Sequence, residues 1–147
     1  MPEPQKRPAI GAAWQERPLS ESIPKQWAEQ ARYDLETARA MLESGRYIYV
    51  LFCCQQAVEK ALKGVIAQNT GEMPPRIHNL LSLSKRAELT LNADQLDLFG
   101  ELSAYYVQSR YPEEMGQFIP NTTHDSASEV LVKTEESVRW LISLIAL

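Results

Sequence analysis

The stretch from Tyr47 to Gln68, YIYVLFCCQQAVEKALKGVIAQ, contains no proline and is apolar through its first half. At 3.6 residues per turn it predicts one long helix with a single apolar stripe. The stripe consists of Ile48, Leu51, Gln55, Val58, Leu62, Val65 and Ile66. Gln55 lies in the middle of the stripe and Glu59 at its edge, where polar groups cost free energy unless they find partners. We expect the other helices to pack around this segment.

The polar side chains of this central helix allow two interpretations. In one, Gln55 and Glu59 hydrogen-bond to neighbouring helices and fix the register of a bundle. In the other, a polar groove or subunit interface is lined by Gln56, Glu59, Lys60 and Lys63. Lysines three positions apart on a helix repel by roughly 0.2–0.5 kcal/mol, and a nearby carboxylate or a bound anion would relieve that repulsion. Two plainly solvated lysines are the alternative.

Further amphipathic patterns flank the central helix, and no alternating strand pattern occurs. They predict helices from about Ser22–Pro24 to Ser44, from His78 to Ala87, from Ala93 to Ser109, and from the Thr122–Asp125 cluster onward. The short link at Ser44–Gly45 predicts antiparallel packing of the first two helices. The fold class is therefore all-α, an up-and-down four-helix-type bundle with one additional short helix. Residues 1–22 are expected to form an extended or mobile arm, and residues 23–147 the bundle.

The composition narrows the classes of function. The chain has 147 residues, 44% of them hydrophobic, and a net charge of −4, which argues against a broad nucleic-acid-binding surface but permits a small anion site. Cys53 and Cys54 are adjacent and are expected to be reduced. Neither histidine lies in a Glu-x-x-His pattern, so we expect no metal site. The sequence contains no phosphate-loop motif, so we expect no cofactor. The absence of a signal peptide and of a long apolar run predicts a cytoplasmic protein without membrane spans.

A second candidate site is the segment YYVQSRYP, residues 105–112. An arginine at a helix end, flanked by tyrosines and followed by a loop, is suited to holding a phosphate and stacking a base. The alternative is that Arg110 only caps the helix carbonyls. His78 follows the Pro74–Pro75 turn at a predicted helix start, where a structural role and a chemical role are equally compatible with the sequence.

The block FCCQQAVEKALKG, residues 52–64, resembles the second-helix signature of the HEPN domain family, the higher eukaryote and prokaryote nucleotide-binding domain. The elements His78–Asn79–Leu80 and Ser109–Arg110–Tyr111–Pro112 resemble the same family, so the similarity spans roughly Trp27 to Leu147. This resemblance implies a helical bundle that is commonly dimeric. It also implies nucleotide or RNA binding, often beside a minimal nucleotidyltransferase encoded nearby.

One departure from the family pattern bears on catalysis. Many HEPN ribonucleases carry an arginine, then four to six residues, then a histidine. After Arg110 those positions hold Met115, Gly116 and Gln117, and His124 lies too far along the chain. The expected proton-transfer partner is therefore missing. The chain resembles the subgroup that carries the RYP element without the ribonuclease pair, so an enzymatic activity is not expected from the motif.

These observations predict a non-catalytic nucleotide-binding or partner-binding module. It would act with a nucleotidyltransferase, in a toxin–antitoxin-like pair. Surplus aromatic surface at Tyr47, Tyr49, Phe52 and Tyr105 predicts a homodimer. Nucleotide or phosphate contacts are predicted at Lys60, Lys63, Arg110 and Tyr111, with supporting roles for Gln56, Glu59 and His78. The alternative is a ribonuclease whose base has moved to His78 or His124, close to Arg110 in the fold.

Overall fold

The described part of the chain in this computed structural model, residues 19–108, 111, 113, 116 and 121–146, contains five continuous α-helices. They are α1 (Leu19–Glu43), α2 (Tyr47–Thr70), α3 (Leu80–Arg86), α4 (Ala93–Gln108) and α5 (His124–Ser143). No β-strand occurs within these residues, so the prediction of an all-α bundle of four longer helices and one short helix is confirmed. None of the described helices combines the length and apolar character needed to cross a membrane.

The central position predicted for α2 is also confirmed. This helix packs against each of the other four helices, most extensively against α1. Its predicted stripe is buried except at Ile48, which is half-buried. The positions that share one face of α5 are all buried: Ala127, Leu131, Thr134, Val138, Leu141 and Ile145. For α4 the sequence predicts a stripe of Leu96, Phe99, Leu102 and Tyr106, which is wrong at one position, because Leu96 is 49% exposed while Leu98 is buried. The core therefore follows the helical periodicity of the sequence almost throughout.

The turn between α1 and α2 is a left-handed glycine cap, as the sequence predicts. Gly45 has φ 77°, its N–H donates to Leu42 O at 3.2 Å, and Arg46 N–H donates to Met41 O at 2.8 Å. This pair of bonds satisfies the last carbonyls of α1 and reverses the chain in three residues. At its other end α1 begins at Leu19, upstream of the predicted start, so Pro24 lies inside the helix. Residues 1–18 of the predicted arm lie outside the described residues.

The segment before α3 is extended rather than helical. Asn79 has φ −73° and ψ 118°, and its side chain accepts a hydrogen bond from Ser82 N at 3.0 Å. It is therefore the N-cap, and α3 begins at Leu80 instead of the predicted His78. Because His78 stays outside the helix, its backbone carbonyl is free to accept a hydrogen bond from α2.

Candidate functional site

A hydrogen-bonded network of polar side chains runs along one side of α2. Gln55, Glu59 and Lys63 are spaced four residues apart, which places them in a row on one helix face. Glu59 Oε1 accepts from Gln55 Nε2 at 3.0 Å, and Glu59 Oε2 accepts from Lys63 Nζ at 3.1 Å. All three residues are buried, with Gln55 fully inaccessible. The single negative charge of the row is thus paired with a single positive charge inside the protein.

The same network holds His78 against α2. Gln55 Nε2 donates to His78 O at 3.1 Å, and His78 Nδ1 lies 3.0 Å from Glu59 Oε1. The His78 side chain is 45% exposed, whereas that of Glu59 is 6% exposed. Gln55 and Glu59 therefore find partners, as the first interpretation requires, but the partner is an extended segment rather than a neighbouring helix. The imidazole has one edge at the core and the other toward solvent.

Aromatic side chains support the imidazole from the other side. The ring centroids of His78 and Tyr106 are 4.9 Å apart with planes tilted by 30°, and Tyr106 stacks on Phe52 at 6.1 Å and 10°. Ser103 Oγ, also on α4, accepts from Leu80 N at 3.0 Å. These contacts anchor the His78 segment to α4 as well as to α2. The position of the imidazole is consequently defined by two helices.

Lys60 and Lys63 have different partners. Lys60 Nζ lies 2.7 Å from Asp34 Oδ2 on α1, with side chains 23% and 15% exposed. That oxygen is shielded from solvent and has no hydrogen bond of regular geometry among the described residues, so the nearby ammonium balances it electrostatically. Lys63 is paired with Glu59, and its Nζ lies 5.7 Å from the centroid of the Trp27 ring. The interpretation of Lys63 as solvated surface is therefore wrong.

Gln56 lies between these two sets of contacts. It is half-buried, and its Nε2 donates to Gln55 Oε1 at 2.6 Å, which connects it to the buried network. On the helix it stands between Glu59, which faces His78, and Lys60, which faces Asp34. We name the accessible surface formed by Tyr49, Gln56 and Lys60 the polar strip. It lies on α2 between α1 and His78.

The remaining predicted residues make no hydrogen bond or ion pair with this network or lie outside the described part. Tyr111 is 57% exposed, and Arg110 lies outside the described residues. His124 begins α5, where its Nδ1 is 3.2 Å from Asp125 Oδ1 and its ring meets Tyr47 edge-on at 5.8 Å. Asp34 was not predicted, although it lies in phase with Ala31, Leu35 and Ala38 on the inner side of α1 and could have been identified from that spacing.

The two cysteines are not suited to nucleophilic chemistry at neutral pH. Burial raises the pKa of Cys53 to about 11, and the nearby Asp34 carboxylate adds to the effect. Burial raises the pKa of Cys54 to about 12, although a hydrogen bond with Thr134 lowers it. Because the thiolate is the reactive form, both side chains act as small apolar groups in the core. Within the described residues, no group of three or more His, Cys, Asp or Glu side chains is placed to hold a metal ion.

Comparisons with known proteins agree with the resemblance seen in the sequence. The model of the HEPN domain family matches residues 24–144. The crystal structure of TT1696 from Thermus thermophilus is 27% identical with a TM-score of 0.70, and covers 83% of this chain and 98% of that one. The crystal structure of ST0689, an archaeal HEPN homologue, is 31% identical with a TM-score of 0.67, and covers 84% and 98%. No match was found among curated proteins. Because the family match spans most of the chain, this protein belongs to the HEPN domain family.

Proposed function

We propose that the chain is a non-catalytic nucleotide-binding HEPN module whose ligand lies on the polar strip of α2. The observation that carries this proposal is the half-exposed imidazole of His78, held at one border of the strip by the buried Glu59 carboxylate at 3.0 Å. A fixed polar group beside an accessible polar surface is what orients a small ligand. Membership of a nucleotide-binding and ribonuclease-type family supports a nucleotide as that ligand.

The phosphate contacts in this proposal come from Lys60 and Arg110, with Tyr111 near the entrance. Lys60 is the more accessible of the two α2 lysines, with its side chain 23% exposed. The charge of Lys63 is already neutralised by Glu59 inside the protein. In this proposal Lys63 therefore belongs to the site because it holds Glu59, and it does not contact the phosphate. Gln56 contributes an amide at the centre of the strip. A guanidinium fork and an ammonium would bind the phosphate by charge-assisted hydrogen bonds.

Calorimetric titration with nucleoside phosphates tests this assignment. Arg110→Ala and Lys60→Ala are each expected to weaken binding by roughly 10-fold or more, since hydrogen bonds to charged groups contribute about 1.5–3 kcal/mol. Lys133→Ala is the matched control, because Lys133 is also paired with an acid, Glu129, at 3.1 Å. Affinity should fall as salt rises. Unchanged binding in both site variants would contradict the proposal.

We extend the proposal to assembly: the module forms a homodimer and works in the cytoplasm with a minimal nucleotidyltransferase, as one half of a toxin–antitoxin-like pair. The exposure of Tyr33 (70%) and Tyr49 (51%) supports an interface at α1 and α2. Light scattering at micromolar concentration tests the dimer, and a monomeric mass would contradict it. Co-purification with the product of a neighbouring nucleotidyltransferase gene tests the pair.

A ribonuclease with a relocated base is the second candidate. The specific observation in its favour is that a carboxylate holds Nδ1 of a half-exposed histidine, an arrangement that also serves proton transfer. Metal-free cleavage of RNA that is lost in His78→Ala and kept in His124→Ala would favour this candidate. The leading proposal instead expects no cleavage by the purified protein.

A further inference from the structure

The contacts of His78 determine where its ring proton resides. Glu59 Oε1 is 3.0 Å from His78 Nδ1, and an ionised carboxylate only accepts hydrogen bonds. Lys63 Nζ donates to the other oxygen at 3.1 Å, so both oxygens of Glu59 act as hydrogen-bond acceptors. A neutral His78 must therefore carry its proton on Nδ1 and a lone pair on Nε2. That second nitrogen has no hydrogen-bond partner among the described residues, and the side chain is 45% exposed.

We propose that the Lys63–Glu59 pair makes Nε2 of the neutral His78 imidazole a hydrogen-bond acceptor, which binds an uncharged hydroxyl or amino donor of the nucleoside and not the phosphate. This inference rests on the proposed nucleotide function. A lone pair on Nε2 repels the oxygens of a fully ionised phosphate, because neither atom carries a proton to share. The phosphate consequently lies at the Lys60 side of the polar strip. His78 selects for the sugar or base at the opposite side.

Glu59 acts here as a positioning residue, since it reaches the ligand only through the imidazole. Its other contacts limit its movement: Gln55 Nε2 donates to the oxygen that faces His78, and Lys63 binds the second oxygen. The backbone of His78 is fixed by the same Gln55 amide at 3.1 Å. With both ring edge and backbone held, the acceptor has one orientation. Preorganisation of this kind lowers the ordering cost of binding.

Nitrogen-15 NMR of the two histidines tests the tautomer directly. At about pH 8.5, where histidine side chains are ordinarily neutral, His78 should show the Nδ1–H form. His124 is the internal control, because the Asp125 side chain beside it is fully exposed and should impose little preference. Glu59→Gln should mix the tautomers of His78, since an amide can donate as well as accept. An Nε2–H form of His78 in the wild-type protein would overturn the inference, even if nucleotides bind.

Binding of three probes at about pH 8.5 tests the ligand assignment: adenosine, methyl phosphate and adenosine monophosphate, each followed by NMR chemical-shift titration. Both phosphate monoesters are fully ionised at this pH, since their second pKa is about 6. His78→Asn keeps a donor near Glu59 but removes Nε2, and should weaken adenosine and its monophosphate roughly 3- to 10-fold while leaving methyl phosphate unchanged. His78→Gln places an amide near the Nε2 position and should recover part of the loss. His124→Asn should change nothing.

The outcomes separate the two proposals. Weaker methyl phosphate binding with unchanged adenosine binding in His78→Asn would overturn the inference while the nucleotide function stands. A wild-type protein that binds none of the three probes would overturn the proposed function and the ligand assignment together. Loss of fold in His78→Asn, seen as collapse of the NMR spectrum, leaves the decision to His78→Gln and to the tautomer measurement, which needs no substitution of His78.

Discussion

Two ion pairs in this protein have the same sequence spacing and the same separation but lie in different environments. Glu59 and Lys63 on α2, and Glu129 and Lys133 on α5, are each four residues apart with the same 3.1 Å separation. The side chains of the first pair are 6% and 8% exposed, and those of the second are 68% and 58% exposed. The spacing predicts a pair in both cases, so burial is the variable that distinguishes them.

Burial changes what a pair of this kind does. Removing two charges from water costs several kcal/mol per ion, which is recovered only with good geometry and further hydrogen bonds. The α2 pair has those bonds, because Gln55 and His78 both contact Glu59. The α5 pair has no such requirement, and water and salt screen it. A buried pair with its own hydrogen-bond partners therefore holds its side chains in one defined arrangement, whereas an exposed pair indicates only a solvated helix face.

The largest effect should come from removing one charge of the buried pair. Lys63→Met retains most of the apolar stem but leaves Glu59 without its cation in the interior. We expect a loss of about 3–5 kcal/mol in the free energy of unfolding, the usual cost of an uncompensated buried charge. Urea denaturation followed by circular dichroism measures it.

Two further variants complete this test. Lys133→Met should leave the urea midpoint unchanged within error, because that side chain is 58% exposed and its charge is solvated with or without Glu129. The double variant Glu59→Gln with Lys63→Met should recover much of the loss, since it contains no unpaired charge. Similar destabilisation by Lys63→Met and Lys133→Met would show that burial does not separate the pairs.

A smaller effect extends the comparison from charges to backbone packing. A Cβ at Gly64 would lie 2.8 Å from Ile145 Cδ1 and 3.1 Å from Trp27 Cβ, whereas one at Gly100 would lie 4.0 Å from its nearest neighbour, Leu81 Cδ1. Gly64→Ala should cost about 1–3 kcal/mol through overpacking. Gly100→Ala should stabilise α4 by about 0.5–1 kcal/mol through helix propensity. Thermal unfolding of the two variants compares them, and equal shifts in Tm would refute the close approach at Gly64.

Much of this fold can be predicted from local sequence patterns, whereas the candidate site can be predicted only in part. Helical periodicity predicts the buried stripe of α5, and Asn92 with Gln95 predicts the reciprocal cap of α4, where both bonds are present. The same periodicity predicts that Gln55 is buried and needs a partner. It does not identify His78, because that contact joins residues 23 positions apart across a turn. Such partners depend on how the elements pack, which no local period encodes.

Lys63 shows the same limit more clearly. Its position beside the apolar stripe is equally compatible with a groove, an interface or solvent. Its burial results from Trp27, on a different helix, whose ring lies 5.7 Å from Nζ, and from the proximity of Glu59. The convergence of Lys60, Lys63 and Arg110 stays a prediction, since Arg110 lies outside the described residues.

A loss of about 1 kcal/mol is expected when the cap that holds the His78 segment is removed. Asn79→Ala deletes the acceptor for Ser82 N, at 3.0 Å, and Thr123→Ala deletes the equivalent acceptor for Ser126 N, at 3.1 Å. Both should destabilise the protein similarly. Only Asn79→Ala should shift the ring resonances of His78, because the imidazole is held by its own segment. A shift of His78 in both variants would mean that the network responds to stability in general.

The smallest effect concerns alkaline pH and the other buried titratable group of α2, Cys54. Burial raises the pKa of Cys54 from 9.0 to about 12. Below about pH 9 the thiol is protonated in the folded and unfolded states alike, so its contribution to stability is constant. Above that pH the unfolded thiol ionises while the folded one keeps its proton, and the free energy of unfolding falls as pH rises toward the folded pKa.

Between about pH 8 and 9.5 the fall due to Cys54 should be less than about 1 kcal/mol. It is measured as the difference in slope between wild type and Cys54→Ala in urea denaturation, so the cost of the substitution itself cancels. Cys53, which is only half-buried and has a pKa raised to about 11, provides the matched comparison. Cys53→Ala should reduce the slope by nearly the same amount, because a folded thiol with a pKa of about 11 also keeps its proton across this range. A clearly smaller reduction in Cys54→Ala would show that Cys54 ionises in the folded state and that solvent reaches it, and the distinction between the buried and the accessible side of α2 would have to be redrawn.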